Sequence, residues 1–107
     1  MTAERRHQIM EAIQKKAHSI VPRNSKIILF GSQARGDAHD GSDWDVLVLL
    51  DKEQITLAEY DDVSYPMTEL GWDMGESINT ILYTKREWEK DIANPFVINV
   101  NREGIVL

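Results

Sequence analysis

The stretch Gly31 to Asp45, GSQARGDAHDGSDWD, separates two short apolar runs. The run before it, Lys26 to Phe30 (KIILF), and the run after it, Trp44 to Leu50 (WDVLVLL), are apolar on both faces over most of their length. That pattern predicts two buried strands rather than half-exposed ones. Gly31 breaks the first strand. Ser32 is a natural N-cap for a short helical turn through Gln33, Ala34 and Arg35, which Gly36 ends. Asp37 to Ser42 then reads as a polar loop hinged at Gly41.

Upstream, Thr2 caps a helix that starts near Ala3, with Glu4 favourably placed in its first turn. Ile9, Ile13, Ala17 and Ile20 give that helix one apolar stripe, and Pro22 with the Arg23-Asn24-Ser25 turn stops it. Downstream, Asp51 and Gln54 have capping-box spacing. The imperfect stripe through Ile55, Ala58, Asp62, Val63, Met67 and Leu70 predicts a helix out to Gly71. Pro66 removes one backbone donor, so two helical pieces meeting near Tyr65-Pro66 are expected, followed by a turn over Asp73 to Glu76. Ser77 to Tyr83 is a third strand. Thr84 and Glu87 cap a helix over Lys85 to Asp91; Asn94-Pro95 opens the last helix, Gly104 ends it, and Ile105 to Leu107 is a short strand. The expectation is an α/β (α+β) fold, a small mixed sheet flanked by helices, in a single domain over residues 1–107.

Bulk properties narrow the function. A length of 107 residues suits one domain with a real core. A net charge of -6 argues against a general nucleic-acid binder, which needs a basic face. It leaves room for a nucleotide site, because a bound metal ion inverts the local field. No cysteine is present, which excludes disulfides and thiolate metal sites. The apolar run Val46 to Leu50 is too short to span a bilayer, and the N-terminus has no signal-peptide core. No membrane partner is expected, and a cytoplasmic location is the default.

Asp43 and Asp45 stand at i and i+2 at the head of the second strand. They therefore share a face about 7 Å apart at Cα, while Trp44 turns to the other face and into the core. Two carboxylates so close repel unless a cation lies between them. Carboxylates with water and phosphate oxygens are the usual ligands of Mg²⁺, and two-metal sites hold their ions about 3.5–4 Å apart. Opposite them, the Gly31-Ser32 turn offers backbone N–H groups and a hydroxyl suited to phosphate, with no Cβ to obstruct it. A triphosphate gripped there and chelated on Asp43 and Asp45 is poised for attack at its α-phosphorus. Singly these signals are weak; together, between two buried strands, they are far more specific.

Gly-Ser, ten residues, then Asp-x-Asp, with Ala34-Arg35-Gly36 after the turn and Ser42 before the first Asp, resembles the minimal nucleotidyltransferases of the DNA polymerase beta superfamily. The resemblance covers nearly the whole chain, through Arg102-Glu103-Gly104-Ile105-Val106-Leu107. It implies that Gly31 and Ser32 hold a nucleoside triphosphate such as ATP, and that Asp43 and Asp45 carry catalysis with two Mg²⁺ ions. Several members of that family are antitoxins paired with a small helical HEPN-type toxin, so AMP transfer to a hydroxyl of such a partner is the implied reaction. Catalytic members usually carry a third carboxylate on the next strand, which ordinarily serves as general base. Here the matching frame is Ile78-Asn79-Thr80-Ile81, and Asn79 cannot take a proton. The alternative is therefore a catalytically weak or inactive antitoxin that neutralises its partner by binding.

Other acids are poor replacements. Asp51 lies roughly 20 Å along the strand from Asp45. Glu76 reaches only if the third strand begins late, and a strand-end glutamate is more commonly solvated; Asp73 is a weaker candidate still. For Arg35 a phosphate contact and a surface position weigh equally. His39, in the loop next to the aspartates, could contact nucleotide or partner, but a lone histidine in a polar loop reads first as solvated; Asp37, Asp40, His7 and His18 read as solvated too. Trp72, Trp88, Tyr83 and Phe96 are most simply packing residues, but Trp72 and Tyr65 exposed together would favour a partner surface.

Overall fold

A computed structural model describes all residues, Met1 to Leu107. The elements run α1 (Ala3–Ile20), β1 (Lys26–Phe30), α2 (Ser32–Arg35), β2 (Trp44–Leu50), α3 (Leu57–Met74), β3 (Ile78–Thr84), α4 (Lys85–Lys90), α5 (Pro95–Glu103) and β4 (Ile105–Val106). One four-stranded mixed sheet has the order β3-β2-β1-β4. β1 is antiparallel to both neighbours, and β2 runs parallel to β3.

The two-sided apolar pattern of β1 and β2 is explained by helices on both faces. Ile27, Leu29, Trp44, Val46 and Val48 pack on one face with Ile9, Ile13 and Ala17 of α1 and Val63 and Met67 of α3. Ile28, Phe30, Leu47 and Leu49 pack on the other with Trp88 of α4 and Val97 and Val100 of α5. The three-layer arrangement leaves the central strands no solvated side. At the outer edge, the Tyr60 hydroxyl donates to the Thr80 carbonyl at 3.2 Å and accepts from the Leu82 N–H at 3.4 Å.

Several caps form as expected. Thr2 accepts from the Arg5 N–H, Thr84 and Glu87 make a reciprocal box, and Asn94 accepts from the Phe96 N–H with Pro95 in the first turn. The second long helix departs from expectation at three points. It begins at Leu57, not Asp51, because Thr56 and Glu59 form the capping box. It continues through Pro66 as one helix; the buried stripe of Val63, Met67 and Gly71 holds both halves against the core, which outweighs one lost backbone bond. It also passes Gly71 and ends at Gly75, which adopts the left-handed conformation with φ 71°. Gly71 is needed inside the helix, since a Cβ there would lie 2.6 Å from the Glu76 carbonyl oxygen.

Candidate active site

The antiparallel pairing of β1 and β2 sets Phe30 opposite Asp45, and the parallel pairing of β2 and β3 sets Asn79 beside Asp45. Residues in register on neighbouring strands point to one face. Asp45 is therefore flanked by Phe30 and Asn79 on the face that α5 covers further along. Asp43, two residues earlier, shares that face. The Asn79 amide nitrogen donates to Asp43 Oδ2 at 2.9 Å and to Asp45 Oδ1 at 3.4 Å.

Gly31 leaves β1 with φ 76° and ψ -161°, a combination open almost only to glycine. A Cβ at this position would lie 2.3 Å from Asp45 Oδ2. The turn and the carboxylate thus touch across the site, which requires residue 31 to lack a side chain. The Ala34 and Arg35 N–H groups bond back to the Gly31 carbonyl, while the N–H groups of Ser32 and Gln33 stand in the first turn, with no preceding helical carbonyl to bond.

A cleft of about 530 Å³ joins these parts: Gly31, Ser32, Arg35, Asp43 and Asp45 line it with Phe96, Asn99 and Glu103 of α5. His39, Gly41 and Ser42 line it as well. Arg35 bonds Asp37 and Glu103, each at 3.2 Å, and these two carboxylates raise its pKa further, the Asp37 bond most. Its guanidinium therefore lies at the cleft already occupied, and a phosphate must compete with two acids. The His39 N–H donates to Ser42 Oγ at 2.9 Å and fixes the loop before Asp43.

Three further residues contribute without a local sequence signal. Gln33 is buried; its Nε2 donates to the Ser42 carbonyl at 3.5 Å, and its own carbonyl accepts from Arg6 of α1 at 2.6 Å. These bonds tie the turn, the loop and the first helix together. Asn99 and Glu103 bring α5 to the site from far along the sequence, and no local pattern marks them. Glu76 is bound elsewhere: its Oε1 accepts from the buried Trp44 indole N–H at 2.9 Å. Trp44 points away from Asp43 and Asp45, so Glu76 lies on the opposite face and does not join them.

Partial burial pushes the Asp45 carboxyl pKa up, and the Asp43 charge adds to this; the Asn79 bond and the Arg35 charge act the other way. A cation beside the pair would reverse that balance. No third His, Cys, Asp or Glu joins them. Two carboxylates with an amide between them suit a hard cation that takes its remaining oxygens from water and a phosphate.

The chain is 40% identical over 85 residues, 79% of each chain, to the Methanocaldococcus jannaschii protein named "Putative protein adenylyltransferase MJ0604". It is 31% identical to a second protein of that organism, "Putative protein adenylyltransferase MJ0141", over 92% of this chain and 94% of that one. Among solved structures it resembles a "putative nucleotidyltransferase" from Sulfolobus solfataricus, with a TM-score of 0.63 at 18% identity, covering 96% of this chain and 82% of that one. It also resembles a chain from a toxin–antitoxin structure with AMP-PNP, with a TM-score of 0.62 at 19% identity over 90% and 69% of the two chains. At those identities the structural likeness speaks for the fold. The model of the nucleotidyltransferase domain matches residues 9–104, and this chain belongs to the nucleotidyltransferase domain family.

Proposed function

We propose that this chain transfers AMP from ATP to a hydroxyl of a partner protein, with Mg²⁺ held by Asp43 and Asp45. One juxtaposition carries the reading: the Gly31-Ser32 turn and the two aspartates open onto the same cleft. The names of the two M. jannaschii relatives support protein as acceptor, and AMP-PNP in the toxin–antitoxin structure supports an adenine nucleotide. A HEPN-type toxin is the partner suggested by the family resemblance.

In the transfer, the acceptor oxygen forms a bond to the α-phosphorus, the bond from that phosphorus to the bridging oxygen breaks, and pyrophosphate leaves with the electron pair. Ser32 Oγ and the N–H groups of the first turn of α2 hold phosphate oxygens. Asn79 keeps the two carboxylates aligned by donating to both. When bound, the metal neutralises triphosphate charge. Asn79 takes no proton, so the acceptor's proton passes to water or to a base on the partner.

The test is incubation of the protein with Mg²⁺, α-labelled ATP and a co-purifying partner. Label should move to the partner and be abolished by Asp43→Ala with Asp45→Ala; transfer unchanged in that variant overturns the assignment. Asn79 at the position of the expected acid favours a second reading, a binding module that has lost transfer. Asn79→Asp separates the two. A large gain of transfer marks a weakened active site, whereas no gain, with partner binding kept in the Asp43/Asp45 variant, supports the module.

A further inference from the structure

No lysine, arginine or histidine falls between Lys52 and Lys85, whereas seven acids do. This segment therefore carries more than the whole net charge of -6, and the remainder of the chain is close to neutral. Four of those acids, Asp61, Asp62, Glu69 and Asp73, are exposed on α3. Among them stand two large aromatic rings that the core does not bury: Tyr65 is 57% exposed and Trp72 is 66% exposed. The rings meet edge to face with centroids 6.3 Å apart, so they form one continuous aromatic patch. Aromatic anchors ringed by charge of one sign are features of a protein-docking surface.

The position of this surface gives it a role. Trp72 borders a depression of about 470 Å³ shared with Gly75, Glu76, Ser77, Gly41 and Ser42. Gly41 and Ser42 also line the candidate active-site cleft. A partner seated on the two rings therefore reaches the cleft mouth across one loop. We propose that the exposed face of α3 docks a protein partner that presents arginine or lysine around an apolar ridge, and that this docking brings the acceptor to the cleft. The acceptor clause rests on the proposed transfer function; the surface itself does not. Nucleic acid and anionic bilayers carry the wrong charge, and a second copy meeting face to face would oppose like charges.

Two synthetic 18-residue amphipathic helical peptides serve as probes, one with arginine flanking a leucine stripe and one with glutamate in the same places. Binding to the full chain is read by fluorescence anisotropy without nucleotide. The arginine peptide should bind with an affinity that falls as salt rises, and the glutamate peptide should not bind. Tyr65→Ser with Trp72→Ser should weaken binding at least fivefold. So should Asp61→Asn, Asp62→Asn, Glu69→Gln and Asp73→Asn together, a variant that keeps the rings. Asp43→Asn should leave peptide binding intact, and amide shifts in the labelled protein should map to α3. Equal binding of both peptides, a smaller loss in either surface variant, or shifts centred elsewhere overturn the proposal. Sedimentation showing a dimer that the ring variant dissociates makes a second copy the occupant and also overturns it. Peptide binding on α3 with no label transfer to any partner would refute transfer and leave the docking surface standing. Label transfer unaffected by both surface variants would do the reverse.

Discussion

Replacing Gly31 with alanine tests the contact on which the site is built. The backbone at residue 31, with φ 76° and ψ -161°, lies where a side chain costs about 1–3 kcal/mol. The added Cβ would stand 2.3 Å from Asp45 Oδ2 and 3.2 Å from its Cγ. Carbon and oxygen settle at roughly 3.3–3.6 Å, so the carboxylate must retreat by about 1 Å, away from the position Asn79 holds it in. A misplacement of about 1 Å at a reacting centre costs on the order of 10²-fold in rate. Gly36→Ala is the control, since Gly36 has φ 84° with nothing within 4 Å of the new Cβ, and it suffers backbone strain of about 1–2 kcal/mol alone. Thermal denaturation should show both variants destabilised, by roughly 4–8 °C per kcal/mol. Calorimetry with ATP and Mg²⁺ should show nucleotide binding lost in Gly31→Ala and kept in Gly36→Ala. If Gly31→Ala binds nucleotide as tightly as the parent, the approach of turn to carboxylate is not part of the site.

Asn79→Asp places a third carboxylate against two others, so the metal-free protein should melt lower than the parent and gain more from Mg²⁺; melting curves in chelator and in Mg²⁺ check this, and equal gains would argue against a cation among these residues. The folded state raises the Asp45 pKa above its ordinary 3.8, so the native protein holds that proton more tightly than the unfolded chain does. Metal-free stability should therefore decline as pH rises through the range just above the ordinary value, and Asp45→Asn should flatten that decline in urea titrations. Trp44→Phe leaves the Glu76 carboxylate without its indole donor; a loss of about 1.5–3 kcal/mol is expected in urea unfolding, with ATP binding unchanged because the bond lies on the far face of β2.

The parts of the fold written in local chemistry could be read directly. KIILF and WDVLVLL announced strands buried on both faces, and Thr2, Thr84-Glu87, Asn94-Pro95 and Gly104 marked helix ends within a residue or two. The bounds of the second long helix are not legible in the sequence because the deciding facts are tertiary. Asp51-Gln54 and Thr56-Glu59 have the same capping spacing, and only the packed helix selects the latter. Pro66 and Gly71 look like breakers, yet the core contact of Val63 and Met67 and the approach of the Glu76 carbonyl explain both inside a helix. At the site, Gly31, Ser32, Asp43 and Asp45 sit close enough in sequence for their spacing to be informative. The family resemblance put Asn79 on the next strand where a third carboxylate is expected, and the pairing of β2 with β3 sets that residue beside Asp45. Asn99, Glu103 and the buried Gln33 were invisible, since each enters through packing between distant segments rather than through a local pattern.

The Tyr60 hydroxyl on β3 has a consequence for how these molecules behave in company. β3 is an outer strand, and an outer strand offers free backbone groups to any passing chain. One phenol, donating to the Thr80 carbonyl and accepting from the Leu82 N–H, engages two of those groups at the middle of the strand. Growth of the sheet from that side would have to displace a ring anchored on α3 from two backbone groups, so one side chain works against edge-to-edge association of these molecules.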